Sequence, residues 1–399
     1  MNILHVIPSL DPASGGPAAS LGALAPAWRA LGHDSEIACL DRPDAAFLTE
    51  YPGKVHALGP AKFKYRFSGQ LGPWLRREGR RFDAVVVHGL WQYPGCAVQR
   101  AFGHPGAPPY FVFVHGMLDP WFQHEYPWKH LKKMVYWRLV ERQVLARAAG
   151  VFFTCEEERR LSTQSFGAYE SPARVVAYGT VDAGRTFAGQ RGAFRAQFPA
   201  LPPGPYWIFL GRIHLKKGVD HLLEAYAALA AQPGVSLPAL VIAGPCAEPG
   251  YLRQLQARAA ACCPAGRVVW PGMLRGDAKW DALQGAEAFV LPSHQENFGI
   301  AVAEALSCGT PVLISDKVNI WREIAGDAAG LVGTDDHAGT LGLLTRWLAL
   351  PAPARSLMQR AARKSFERRF AIEAAAASLA GEIGAQLRVP AVPLAPTAA

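Results

Sequence analysis

Short apolar runs recur along the chain, each followed by a longer stretch with apolar positions three and four apart. In the first half the runs are Ile3 to Ile7, Glu36 to Leu40, Ala84 to His88, Tyr110 to Val114 and Val151 to Thr154; Ala18 to Leu31 is the first helical stretch. Such runs, unbroken by polar residues and spaced by helices, predict parallel strands buried on both faces in βαβ units. The pattern pauses over Ala188 to Gly204, an irregular segment rich in Gly and Pro. It restarts with a strand at Tyr206 to Leu210 and a helix at Val219 to Leu229, whose Leu222, Leu223, Tyr226 and Leu229 share one face. Leu240 to Ala243, Val268 to Trp270, Ala288 to Leu291 and Val312 to Ile314 are further strands. A last long helix runs from about Pro353 to Leu387, and the Pro/Ala tail after it reads as disordered.

A chain of 399 residues exceeds one ordinary core, so the two halves of the pattern predict two doubly wound α/β domains. Open parallel sheets bind ligands at the carboxyl ends of their strands, which makes the loops there the candidates for chemistry. The composition is globular, with 50% hydrophobic and 18% charged residues. The 7 cysteines are scattered without a CxxC and read as free buried thiols in a reducing cytosol. MNILHVIPSL lacks a basic start and reads as a buried strand, not a signal peptide. No uncharged apolar stretch is long enough to span a bilayer. Of the net charge of +9, residues 1–199 carry +7, with 23 Lys and Arg against 16 Asp and Glu. That bias fits an anionic membrane surface or a lipid-phosphate substrate, or else a solvated basic face; no recognition motif supports nucleic acid.

Three strand-end loops suit phosphate. "PSLDPASGGPAAS" puts Gly15 and Gly16 directly before a helix, where backbone N–H groups are free for an anion; plain turn geometry is the other reading. "LGRIHLKKG" places Arg212 and Lys217 after the second domain's first strand, either as a diphosphate clamp or as a solvated basic loop. "HQENFG" leaves the strand Ala288 to Leu291 with Glu296, and Phe298-Gly299 opens a helix that carries Glu304. Two carboxylates at different depths beside a helix amino end suit the hydroxyls of a sugar and of a ribose.

These residues resemble the retaining glycosyltransferases of family 4, the group 1 class with the GT-B fold. The likeness covers most of the chain. It is strongest in the E-x7-E element Glu296 to Glu304, in "EALSCGTPVLISD" and in "LGRIHLKKG". "HVIPSLDPASGGPAAS", "VVVHGLWQYPG" and "VFVHGMLDPW" are similar to the N-terminal half of polysaccharide-assembly members. One departure is Tyr178-Gly179 where members often have Asn-Gly before the crossing between domains. The resemblance implies two Rossmann-like domains facing across a cleft: residues 1–185 for the acceptor, 186–367 for the nucleotide sugar, a final helix at about 368–387 returning to the first, and 388–399 as the tail. It implies that Arg212 and Lys217 neutralise the donor diphosphate, with Gly15 and Gly16 facing the diphosphate or acceptor. Glu296 and the backbone of Asn297, Phe298 and Gly299 would meet sugar and phosphate, and His115 the transferred sugar. Glu304 would hold the ribose, and Gly272 and Met273 would lie along the base.

The implied reaction moves a sugar from a nucleotide diphosphate to a hydroxyl of a glycan or polyprenyl-diphosphate-linked acceptor in cell-envelope or exopolysaccharide synthesis. No DxD stands at a strand end, so no cofactor or obligatory metal is expected; His115, His124 and His130 match no compact ligand motif. A sugar-nucleotide epimerase of the same fold and a catalytically silent assembly scaffold are the competing readings. "LDPWFQHEYPWKHLKKMVYWRLVERQVLARA", "AKFKYRF" and "RREGRR" mix aromatic and basic residues. They fit peripheral contact with the anionic cytoplasmic face of an inner membrane, or a buried helix with a wet basic edge.

Overall fold

The structure, a computed structural model, describes residues 1–125, 127–167, 171–186 and 192–388. The tail 389–399, expected to be disordered, lies outside them, as do 188–191 of the irregular segment. The chain forms two compact units: residues 1–178 together with the chain from Ile372 onward, and Gly179–Ala371. The sequence reading placed these limits at 185/186 and 367/368.

The first unit holds a parallel sheet of β1 (Asn2–Ile7), β2 (Asp34–Cys39), β3 (Lys54–Ala57), β4 (Ala84–His88), β5 (Tyr110–Phe113), β6 (Gly150–Phe153) and β7 (Ala173–Val175), in the order β3-β2-β1-β4-β5-β6-β7. The second holds β8 (Tyr206–Leu210), β9 (Ala239–Ala243), β10 (Val268–Gly272), β11 (Ala288–Leu291), β12 (Val312–Ser315) and β13 (Gly330–Gly333), in the order β10-β9-β8-β11-β12-β13. Central strands such as Val85, Val86 and Val87 of β4 or Ile208 and Phe209 of β8 are wholly buried. Each such side chain contributes about 1.5–3 kcal/mol relative to exposure, which is why these runs are continuous and apolar. Strand order reverses between β1 and β4 and between β8 and β11. Loops leave these pairs in opposite directions and open a crevice at each switch point.

In the second unit two glycines let backbones meet at that crevice. Gly218 (φ 63°) caps the helix Val219–Ala230, and a Cβ there would strike the carbonyl of Pro292. At Gly244 (φ 140°) a Cβ would strike the carbonyl of Gly211. The Gly244 N–H donates to the Gly272 carbonyl at 2.8 Å, so the ends of β8, β9 and β10 are drawn together.

Two expectations are corrected. The long helix from Pro353 to Leu387 is two helices, Ala352–Ser365 and Ile372–Arg388, separated by a wide turn at Phe366–Phe370 and extended Ala371. Phe366 and Phe370 are buried and continue the apolar face through the break, which hides it from periodicity. The Phe370 carbonyl instead accepts the Thr180 N–H at 2.9 Å. In the second helix Ile372, Ala375, Ala376, Leu379 and Ile383 are buried, and Ser378 Oγ accepts the Ala177 N–H at 3.0 Å. The segment expected to be irregular contains the short helix Ala193–Gln197, held where the Asp281 carboxylate accepts the N–H groups of Gly192 (3.1 Å) and Phe194 (2.7 Å).

Candidate functional site

In the second unit Arg212, Lys217, Glu296, Asn297, Phe298 and Gly299 lie on the two loops of the β8/β11 switch point. After β8 the chain runs through exposed Arg212 into the short turn Leu215–Lys217, where His214 Nδ1 accepts the Lys216 N–H at 3.1 Å. The loop after β11 packs against that turn: the His294 N–H and Ser293 Oγ both donate to the Lys216 carbonyl, at 2.7 and 2.9 Å. Lys216 Nζ donates to Gln295 Oε1 at 2.9 Å. This packing brings Lys217 and Glu296 into a direct ion pair, with side chains only 13% and 24% exposed. Arg212 has no ion-pair partner among the described residues. Glu296 is fixed by its backbone, which donates to the Lys317 carbonyl and accepts from the Asn319 N–H, both at 3.0 Å.

Phe298 is buried against Phe370, ring centroids 5.7 Å apart, and Gly299 (φ 77°) opens the helix Ile300–Ser307. Among the described residues no side chain caps this amino end; the Val302 N–H donates to the Gly299 carbonyl at 2.8 Å, and the Ile300 and Ala301 N–H groups and the positive end of the helix dipole stay available to an anion. Glu304 lies one turn in, 9% exposed, and accepts from Lys279 Nζ at 2.7 Å. Lys279 lies on the helix Gly276–Gln284 and also covers the Trp280 ring at 4.0 Å. Gly272 ends β10 and Met273, 50% exposed, follows it.

In the first unit Gly15 (φ 103°) precedes the helix Gly16–Ala30 without a side-chain cap among the described residues. The turn before it is anchored by buried Asp41, which accepts from Ser9 Oγ (2.6 Å) and the Leu10 N–H (2.7 Å). His115 follows β5 with φ 53°, and the Gly116 N–H donates to buried Glu158 at 2.5 Å. The other Glu158 oxygen accepts the N–H and hydroxyl of Thr154 at 2.6 and 2.7 Å.

Sequence reasoning missed several partners. Lys279 sits on a helix of weak periodicity and gives no signal on its own. Gly116 precedes Glu158 by 42 positions and Trp91 precedes Glu141 by 50. Glu141, read as part of a basic segment, is 1% exposed; it accepts the Trp91 N–H, and burial pushes its carboxyl up to about 7. Cysteines are not uniformly buried, since Cys262 is exposed. The His124 side chain lies outside those described.

Residues 190–365 match the family model "Glycosyl transferases group 1" and residues 15–179 the model "Glycosyl transferase 4-like domain". A D-inositol 3-phosphate glycosyltransferase of Nocardia farcinica is 31% identical over 76% of this chain and 61% of its own length. The chain spans about half the length of further such relatives, 48% in Jonesia denitrificans and 44% in Rhodococcus opacus. Among solved structures, sucrose-phosphate synthase of Thermosynechococcus elongatus superposes with a TM-score of 0.75 at 20% identity, covering 97% of this chain and 99% of that one. HepE of Anabaena, in complex with UDP-glucose, gives 0.75 at 16% identity, covering 96% and 100%.

Proposed function

The chain has the GT-B fold and belongs to the group 1 glycosyltransferases of family 4, and on that premise we propose that it moves a sugar from a nucleotide-diphosphate sugar to an acceptor hydroxyl with retention at the anomeric carbon. The observation that carries the reading is the Lys217–Glu296 pair at the β8/β11 switch point, beside an uncapped helix amino end whose helix carries buried Glu304 one turn in. Before donor binds, Glu296 is the counter-ion of Lys217. The incoming diphosphate takes the ammonium over and releases the carboxylate to the sugar hydroxyls. Charge that gathers on the leaving diphosphate is met by Lys217, by Arg212 and by the helix end, a preorganised set that needs no obligatory metal. Glu304 holds the ribose, and His115 addresses the transferred sugar. The HepE complex with UDP-glucose supports a nucleotide-sugar donor.

Attack comes from the face the diphosphate leaves, with its oxygen taking the acceptor proton. The anomeric proton coupling of the product tests this by NMR. A product of the donor's anomeric configuration is expected; an inverted one, or a trapped sugar–enzyme ester, overturns it.

For the acceptor we propose a lipid-linked glycan of cell-envelope or exopolysaccharide synthesis, met at an anionic membrane face. Trp128, Leu131, Val135 and Leu139 form an exposed stripe at helical spacing, 81% exposed at Trp128, beside exposed Lys132, Arg138 and Arg142. Phe63, 84% exposed, tips a small hairpin closed by Lys62 and Phe67. The Tyr136 hydroxyl donates to Tyr65 at 2.9 Å and joins helix to hairpin. Among the described residues no helix is long and apolar enough to cross a membrane. Aromatic, aliphatic and basic side chains on one face suit insertion at an anionic interface. Flotation with anionic liposomes is expected to carry the protein at low salt, and Trp128→Ser with Leu131→Ser to weaken it. No flotation would count against the membrane, and equal recovery with neutral liposomes against its anionic charge.

A further inference from the structure

Three histidines distant in sequence meet inside the first unit. His5 lies on β1, His88 ends β4 and His115 follows β5, and these strands are neighbours in the sheet. His5 Nδ1 stands 2.9 Å from His88 Nε2, and His88 Nδ1 stands 2.9 Å from His115 Nε2. His5 and His88 are 1% and 5% exposed, and His115 is half-buried. The His115 ring lies stacked on Phe113 (4.5 Å between centroids) and on His88 (5.2 Å), with Tyr178 edge-on at 5.7 Å. His115 also holds a positive φ, a strained state that its surroundings must maintain. The two nitrogens of His88 face different partners, so the three rings form a hydrogen-bonded chain and not a ligand set around one point.

Burial lowers all three from the usual histidine value, His5 and His115 to about 3. Neutral imidazoles carry one N–H each, so the chain has one of two polarities. These differ at the inner end. His5 Nε2 is buried with no partner among the described residues. If protons pointed inward, that atom would be a buried donor without an acceptor. If they point outward, it is an unused lone pair, the milder defect. Outward polarity puts the proton of every ring on Nδ1. His115 Nδ1 has no hydrogen-bond partner among the described residues and is not one of the sealed side-chain atoms.

We propose that His5 and His88 are positioning residues that lock His115 as a neutral Nδ1–H donor, whose acceptor is a hydroxyl oxygen of the transferred sugar. The lock stands on the chain's own geometry; its target rests on the transferase reading above. His88→Leu removes the outward donor, and His88→Asn returns an amide N–H near the place of Nδ1.

The test is a long-range proton–nitrogen correlation on the ¹⁵N-histidine-labelled chain, without substrate, followed by turnover of its sugar nucleotide. Nδ1–H with bare Nε2 is expected at His115, changing to Nε2–H in His88→Leu. That variant is expected to lose about tenfold in kcat at unchanged donor KM, with His88→Asn recovering most of it. An Nε2–H His115 in the parent chain overturns the lock whatever the activity, and needs no variant to fold. Equal kcat in the Leu and Asn variants overturns the positioning role. The expected tautomer in a chain inert toward every sugar nucleotide overturns the sugar as its target and the transferase reading with it.

Discussion

Glu296→Ala lowers the rate of sugar transfer by about two to three orders of magnitude and leaves nucleotide affinity within about threefold. The two effects separate because Glu296 is tied to its loop by backbone, at 3.0 Å to both Lys317 and Asn319, while its carboxylate serves Lys217. Removing the carboxylate leaves the loop in place and the Lys217 ammonium without its counter-ion, so phosphate binding does not suffer. What disappears is the carboxylate proposed to accept from the sugar hydroxyls. A merely structural ion pair, partly open to water, would be worth about 1 kcal/mol of folding stability and nothing in the chemical step. Steady-state kinetics beside nucleotide titration distinguish the cases. Unchanged kcat removes Glu296 from the chemistry, and loss of nucleotide binding makes it a phosphate-site residue instead.

Acid weakens the first unit through its histidine chain. His5 has a pKa of about 3 when folded and about 6.5 when unfolded, so the unfolded state binds the proton first. The stability is present above pH 6.5 and is lost as the pH falls toward 3. By pH 5 His5 alone costs about 2 kcal/mol. His88 and His115 act in the same direction. Buried Glu141, raised to about 7, acts in the opposite one, because its folded form takes up a proton in this range. Comparing the parent with His5→Asn cancels the Glu141 contribution. Hydrogen-exchange protection of β1 and β4 amides at pH 7 and pH 5 is expected to fall about 2 kcal/mol further in the parent than in the variant. Equal falls would mean that His5 binds its proton equally well in the folded and unfolded states.

The strands legible in the sequence are those whose neighbours bury them. Val85–Val87, Phe111–Phe113 and Ile208–Leu210 read as continuous apolar runs because helices cover both faces of a parallel sheet. The three strands not foreseen, β3, β7 and β13, are all at sheet edges, where KVHA, ARV and GLVG are short and half-buried. At the site, Lys217 and Glu296 were legible because topology alone delivers both to one switch point. Their direct pairing was not, since it depends on how two loops 79 positions apart pack. Glu304 was legible as the second acid of a spaced pair, but Lys279 was not. Of the histidine chain only His115 was singled out in the sequence as a site residue: His5 and His88 look like strand residues until β1 and β4 are known to be adjacent.

The most direct test of the donor site is a thermal-shift series with UDP, GDP, ADP and CMP, each with and without magnesium, on the parent chain and on Arg212→Ala and Lys217→Ala. A nucleotide that binds only the folded state at about 100 times its Kd adds about 2.7 kcal/mol of stability. One nucleotide is predicted to raise the melting temperature without magnesium, and each substitution to abolish the rise. No shift with any nucleotide, or a shift that survives both substitutions, would contradict a donor diphosphate held at the β8/β11 switch point.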